Sequence, residues 1–267
     1  MGSLDRALSI VDAAADAGAS AIKLQTFTPE QMADPGVKIK SGPWAGRDLL
    51  DLYRETHTPR EWHAVIFNRA KQRGLLAFSS VFHADDVDFL QTIQCPIFKI
   101  PSFEITDLPL IRYAAKTGRR IVISTGMATH GEILAAVAAS REPKTALPIL
   151  LKCTSAYPSE PKDANLLAMR ALGEICGGEF GLSDHSLTTA IPVAAAVLGA
   201  VMIEKHLTIS RKDGGPDAAF SLEPSEFGAM VRDVHAAVSA IGEAAFGPLE
   251  SEASSLPFRR KPGGKRG

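Results

Sequence analysis

Short runs rich in β-branched residues alternate with stretches of helical period from residue 4 to residue 243, mostly across short connections. That alternation constrains the fold more than any other feature of the chain. Strands separated by helix-length segments cannot pair as hairpins, so they must lie parallel with the helices packed across the sheet. Apolar periodicity predicts helices over 4–17, 60–73, 84–92, 108–117, 130–139, 163–175, 188–198 and 225–243. Strands are predicted over 21–25, 75–79, 97–100, 121–124, 148–152, 179–182 and 201–204. Eight helices with seven strands point to an α/β fold, a (β/α)8 TIM-type barrel lacking its first strand, which would lie upstream of Met1. A doubly wound open sheet is the alternative, but no G-x-G-x-x-G follows a strand.

A chain of 267 residues that is 45% hydrophobic can bury a sizeable core in one domain. The barrel is expected to occupy residues 1–245. Residues 246–267 lose periodicity and end in a basic, Gly/Pro-rich run, and they are expected to form an unfolded linker and tail. The long connection 26–59 exceeds the usual few residues, and such connections in compact domains are often functional. A formal net charge of −1 argues against nucleic acid or a membrane surface as partner. Cys95, Cys153 and Cys176 are odd in number and show no C-x-x-C spacing, which argues against a disulfide framework or a structural zinc site and fits a reducing cytoplasm. No signal-peptide pattern opens the chain, and the apolar stretch 191–203 is too short to span a bilayer.

In a barrel of this kind the chemistry sits at the carboxyl ends of the strands. The polar residues ending each apolar run are Lys23 and Gln25; Ser79 and Ser80; Lys99, with Ser102 and Glu104; and Ser124 and Thr125. Later strands add Lys152 with Thr154, Ser155 and Tyr157, then Ser183 with His185, then Glu204 with His206. Lysines beside hydroxyls suit a phosphorylated or carboxylated small molecule. Two imidazoles ending adjacent strands suit a divalent metal such as Mn²⁺, Zn²⁺ or Fe²⁺. Each residue taken alone also has a plainer reading. The histidines can simply hydrogen-bond within the mouth, Lys23 and Lys99 can snorkel to solvent, and Ser124-Thr125-Gly126 can cap a helix. Cys153 reads as a small core residue, since nothing in the sequence indicates a depressed pKa.

The order of these segments carries a resemblance. Lys23-Leu24-Gln25-Thr26-Phe27, Phe98-Lys99-Ile100-Pro101-Ser102-Phe103-Glu104 and Ser124-Thr125-Gly126-Met127 are followed by Cys153-Thr154-Ser155-Ala156-Tyr157-Pro158, Gly181-Leu182-Ser183-Asp184-His185 and Glu204-Lys205-His206. Together they resemble the nonulosonic acid synthases, which condense phosphoenolpyruvate with an amino sugar to give sialic, legionaminic and pseudaminic acids. The resemblance runs over about residues 2–243, and the run 213–224 is most similar to the pseudaminic acid branch.

The resemblance implies roles for individual positions. His185 and His206 match the metal ligands, with Mn²⁺ the usual ion. Lys23, Ser80, Lys99, Ser102, Ser124 and Ser183 match the positions that hold phosphoenolpyruvate. Gln25, Glu104, Tyr157 and Asp217 match positions around the open-chain sugar, and Ser155 stands where the sialic acid branch commonly has Asn. The expected catalytic set is Glu104, Lys99, His185 and His206. The family further implies a homodimer and, beyond residue 260, a small C-terminal antifreeze-like domain, which is expected to be absent here because the resemblance ends at Lys261. Two other readings of the residues stay open: a Schiff-base aldolase with Lys99 as nucleophile, and a non-catalytic remnant that binds phosphoenolpyruvate.

Overall fold

The structure, a computed structural model, describes residues 2–142, 146–260 and 263–264. Its centre is a seven-stranded sheet in sequential order: β1 (Ala21–Thr26), β2 (Leu76–Val81), β3 (Ile97–Ile100), β4 (Arg120–Ser124), β5 (Ile149–Cys153), β6 (Phe180–Asp184) and β7 (Met202–Lys205). Every neighbouring pair is parallel. Sequential order with a helix in each crossover curls the sheet in one direction, as in a TIM-type barrel. Here it forms a half-barrel with β1 and β7 as its two edges.

The helices are α1 (Leu4–Asp16), α2 (Pro29–Met32), α3 (Leu49–Thr56), α4 (Arg60–Gln72), α5 (Ala84–Thr92), α6 (Leu108–Lys116), α7 (His130–Ala139), α8 (Ala168–Cys176), α9 (Ala190–Val197) and α10 (Pro224–Ala240). Their starts follow local chemistry. Asp107 accepts from the Leu110 amide, and Thr129 with Glu132 forms a capping box before α7. The main core lies between β2–β5 and α5–α8, where Phe98, Ile100, Ile111 and Ile123 are fully buried. β7 is only half-buried along its length, as expected of an edge strand. Gly181 in β6 allows β7 to approach, because a Cβ there would run into the Met202 carbonyl oxygen.

The long connection 26–59 carries α2, α3 and an antiparallel bridge between Lys38 and Asp48. Two expectations need correction. Helix α8 begins at Ala168 rather than near residue 163, because the chain first makes a 3-10 turn over Pro161–Asp163 and Asn165 takes a left-handed φ of 44°. The segment expected to be unfolded contains a 3-10 helix over Glu250–Phe258, whose residues are all exposed. Five residues of the terminal basic run, Lys261, Pro262, Lys265, Arg266 and Gly267, lie outside the described residues. Among the described residues no helix is long and apolar enough to cross a membrane.

Candidate active site

The carboxyl ends of the strands open into one cavity of about 860 Å³, a size suited to a small-molecule ligand. Most of the residues singled out from the sequence line it: Lys23, Gln25, Ser80, Lys99, Ser102, Glu104, Ser124, Ser155, Tyr157, Ser183, His185, Glu204, His206 and Asp217, whereas Ser79, Thr125, Lys152 and Thr154 do not. Parallel pairing brings them together, since every strand of such a sheet ends on the same face.

The floor of the cavity is charged. Lys99 is only 2% exposed, so it does not snorkel to solvent. Its ammonium donates to Ser124 Oγ at 2.7 Å and to the Ile100 carbonyl at 3.2 Å. Burial outweighs the nearby carboxylates and lowers its pKa to about 8. Lys23 donates to Glu204 Oε1 at 2.9 Å, and Ser183 Oγ donates to the same oxygen at 3.3 Å. The second oxygen, Glu204 Oε2, has no hydrogen-bond partner among the described residues and lies 3.9 Å from Lys99. Although burial opposes it, the two lysines hold the Glu204 carboxyl well below the usual carboxylate range. Glu204 therefore spans the two edge strands and balances both cations. Among the described residues the Ser80 hydroxyl is buried without a partner, an unmet donor and acceptor facing the cavity. Ser102 Oγ accepts from the Gly126 amide at 3.0 Å, and a Cβ on Gly126 would come within 2.8 Å of that oxygen. The Ser124-Thr125-Gly126 segment thus serves the floor, while capping of α7 falls to Thr129.

The imidazoles of His185 and His206 meet with their ring centroids 5.3 Å apart. His185 Nδ1 donates to the Thr154 carbonyl at 3.0 Å, which orients the ring, and although burial opposes it, the Cys153 hydrogen bond and charge raise its pKa. His206 Nδ1 lies 3.5 Å from the Asp217 carboxylate. Burial, then His185 and Lys23, push the His206 pKa down to about 3, so the ring is neutral at physiological pH. A divalent ion fits this pair, because each ring has an outer partner of the kind that orients metal-bound histidines. Among the described residues no group of three His, Cys, Asp or Glu side chains could hold a metal.

Cys153 is not simply part of the core: its side chain lines the cavity beside His185. Burial pushes its thiol up, but the His185 hydrogen bond and charge carry the pKa down to about 7. The roof is aromatic. Phe220 packs on Trp44, Tyr157, His185 and His206 with centroid distances of 5.0–6.2 Å, and Trp44 donates its indole N–H to the Pro216 carbonyl at 3.0 Å.

Glu104 closes the site on the side of β3. Its Oε2 is buried without a hydrogen-bond partner among the described residues, and burial raises its pKa to about 7 despite Lys99. The folded value lies above the unfolded one of about 4.5, so the folded state loses stability as pH rises through that window, and the full cost of about 2–3 kcal/mol is present above pH 7. Glu104→Gln is therefore expected to raise Tm by several degrees at pH 8 and much less at pH 4.5. Calorimetry showing the same gain at both pH values would contradict a charge-starved carboxyl here.

The fold and site together define a TIM-type α/β protein whose strand ends form a mouth lined by lysines and serines beside paired imidazoles. The chain belongs to the NeuB family, whose family model matches residues 10–245. It is 43% identical over 245 residues to a pseudaminic acid synthase of Helicobacter pylori, an alignment covering 90% of this chain and 72% of the relative. A pseudaminic acid synthase of Campylobacter jejuni is 42% identical over 262 residues, with 97% and 76% covered. The crystal structure of an N-acetylneuraminic acid synthetase from Leptospira borgpetersenii, in complex with citrate, superimposes with a TM-score of 0.84 at 31% identity, covering 96% of this chain and 86% of that one. These relatives are enzymes of sialic and pseudaminic acid synthesis.

Proposed function

We propose that this chain condenses phosphoenolpyruvate with an open-chain acetamido sugar to give a nonulosonic acid and phosphate, with pseudaminic acid as the product. The observation that carries the reading is the buried floor, where Lys23, Lys99 and the hydroxyls of Ser80, Ser102, Ser124 and Ser183 surround one cavity with the two imidazoles at its rim. Membership in a family with pseudaminic acid synthases at 42–43% identity supplies the reaction class.

The lysines and serines are suited to the carboxylate and phosphate of phosphoenolpyruvate, because charge-assisted donors in a dry site bind anionic oxygens strongly. C3 of phosphoenolpyruvate then attacks the sugar aldehyde carbon, forming the C–C bond, and water adds at C2. Collapse breaks the C2–O bond, and phosphate leaves with the bridging oxygen. Lys23 and Lys99 stabilise the anionic oxygens throughout. Glu104 is poised near neutral pH to move a proton to or from the sugar oxygen or the attacking water. Gln25, Ser155, Tyr157 and Asp217 face the sugar. His185 and His206 would hold a divalent ion, most suitably Mn²⁺, which supplies Lewis-acid polarisation of the aldehyde when bound. Mixing the chain with both substrates tests the reading: phosphate release should require phosphoenolpyruvate and sugar together.

One observation favours a second reading. A buried lysine with a pKa near 8 has the property required of a Schiff-base nucleophile. The ammonium is, however, engaged by Ser124 and the Ile100 carbonyl. Borohydride treatment in the presence of pyruvate should leave the protein mass unchanged, whereas a stable adduct on Lys99 would establish the aldolase chemistry instead.

A further inference from the structure

Asp184 and Lys205 form a buried ion pair that the reaction does not use. Their side chains are 4% and 0% exposed and the charges are 2.5 Å apart, yet neither residue lines the cavity. Strand alternation explains this: Ser183 and His185 point into the cavity on either side of Asp184, as do Glu204 and His206 around Lys205. A buried pair of this kind costs desolvation and is often replaceable by apolar residues without loss of stability, so its presence calls for another explanation.

The contacts supply one. Asp184 Oδ1 accepts from the Ser186 amide at 3.0 Å, and Oδ2 accepts from the Ser186 hydroxyl at 2.9 Å. Lys205 donates to Asp184 Oδ2 and to the Ser186 carbonyl. The carboxylate thus closes a tight turn around His185, and the ammonium ties that turn to the residue preceding His206. Other hydrogen bonds fix each histidine to a different loop: the Ser159 amide donates to the His185 carbonyl at 3.1 Å, and the Leu222 amide donates to the His206 carbonyl at 2.9 Å. Apart from the strand ladder and the Ser183–Glu204 hydrogen bond within the cavity, it is this pair that links the two histidine-bearing segments to each other. The link matters because β7 is four residues long and pairs with β6 alone among the described strands.

We propose that Asp184 and Lys205 are positioning residues, a clip that sets the spacing of the two imidazoles for a divalent metal; the inference rests on the metal reading given above. Asp184→Asn combined with Lys205→Met removes both charges and keeps the net charge, so the field at the metal changes little and any loss of affinity reports geometry. The full chain is titrated with Mn²⁺ alone and free ion is followed by electron paramagnetic resonance. The double variant should bind Mn²⁺ about 10–100-fold more weakly than wild type, with a Tm within a few degrees of it. Affinity equal to wild type would reduce the pair to a structural role and overturn the proposal. If wild type binds no Mn²⁺, the metal reading falls and the clip falls with it. Asp184→Asn alone serves if the double variant does not fold. There, spin-echo modulation should count fewer than the two imidazole nitrogens of wild type, and two retained nitrogens would overturn the proposal.

Discussion

Replacing His206 by Ala is expected to slow condensation by about a thousandfold or more while the chain stays folded. The Lewis-acid contribution of a bound metal is several kcal/mol, and about 4 kcal/mol corresponds to a factor of about a thousand. The imidazole is neutral, with its pKa pushed to about 3, and it sits 5.3 Å from the only other ring suited to share an ion among the described residues of the cavity. Structural loss is modest, since the side chain is 24% exposed and its main packing partner, Phe220, keeps Trp44 and Tyr157. Circular dichroism should match wild type, and bound Mn²⁺ should fall to background. Equal Mn²⁺ content in wild type and in the His185→Ala and His206→Ala variants would remove the imidazoles from the metal site.

Lys99→Met is expected to move stability and binding in opposite directions. The ammonium is buried and its pKa falls to about 8. Because the folded value lies below the unfolded one of 10.5, the cost is fully present below pH 8 and stability is regained as pH rises from 8 towards 10.5. Met removes a penalty of about 3 kcal/mol at pH 7, offset in part by the lost Ser124 contact and by a Glu204 carboxylate left to Lys23. Tm should therefore hold or rise. Phosphoenolpyruvate affinity should fall by about 1.5–3 kcal/mol, roughly 10–150-fold, as a charge-assisted donor disappears. In the wild type the same affinity should weaken above pH 8 as Lys99 loses its proton. Unchanged affinity by calorimetry, or a pH profile flat through 8 in wild type, would place Lys99 outside the anion site.

How much of this was legible in the sequence depended on whether the signal was local. β3 (Ile97–Ile100), α5 (Ala84–Thr92) and α7 (His130–Ala139) match their expected bounds because a β-branched run or a capped apolar period defines each within its own residues. Helix α3 had a signal that was passed over: Asp48 caps the Leu50 and Asp51 amides ahead of an apolar stripe. The strand-end lysines, serines and histidines could be named because parallel topology makes their convergence a matter of counting. Glu204 was visible as a strand end, but its service to both lysines depends on register across the whole sheet and on a contact 181 residues distant in sequence. Trp44 left no local trace at all, since its place in the roof depends on the carbonyl of Pro216, 172 residues away. Cys153 was misread for the same reason, its acidity being set by His185 across a strand.

The central claim is that one cavity joins phosphoenolpyruvate to a sugar aldehyde with loss of phosphate through C–O cleavage. Phosphoenolpyruvate carrying ¹⁸O in its bridging position, incubated with Mn²⁺ and a diacetamido trideoxy hexose, tests it directly by mass spectrometry of both products. The account predicts labelled phosphate and an unlabelled nonulosonic acid in equal amounts, with neither formed when the sugar is omitted. Label retained in the sugar acid, or phosphate released without sugar, would contradict it.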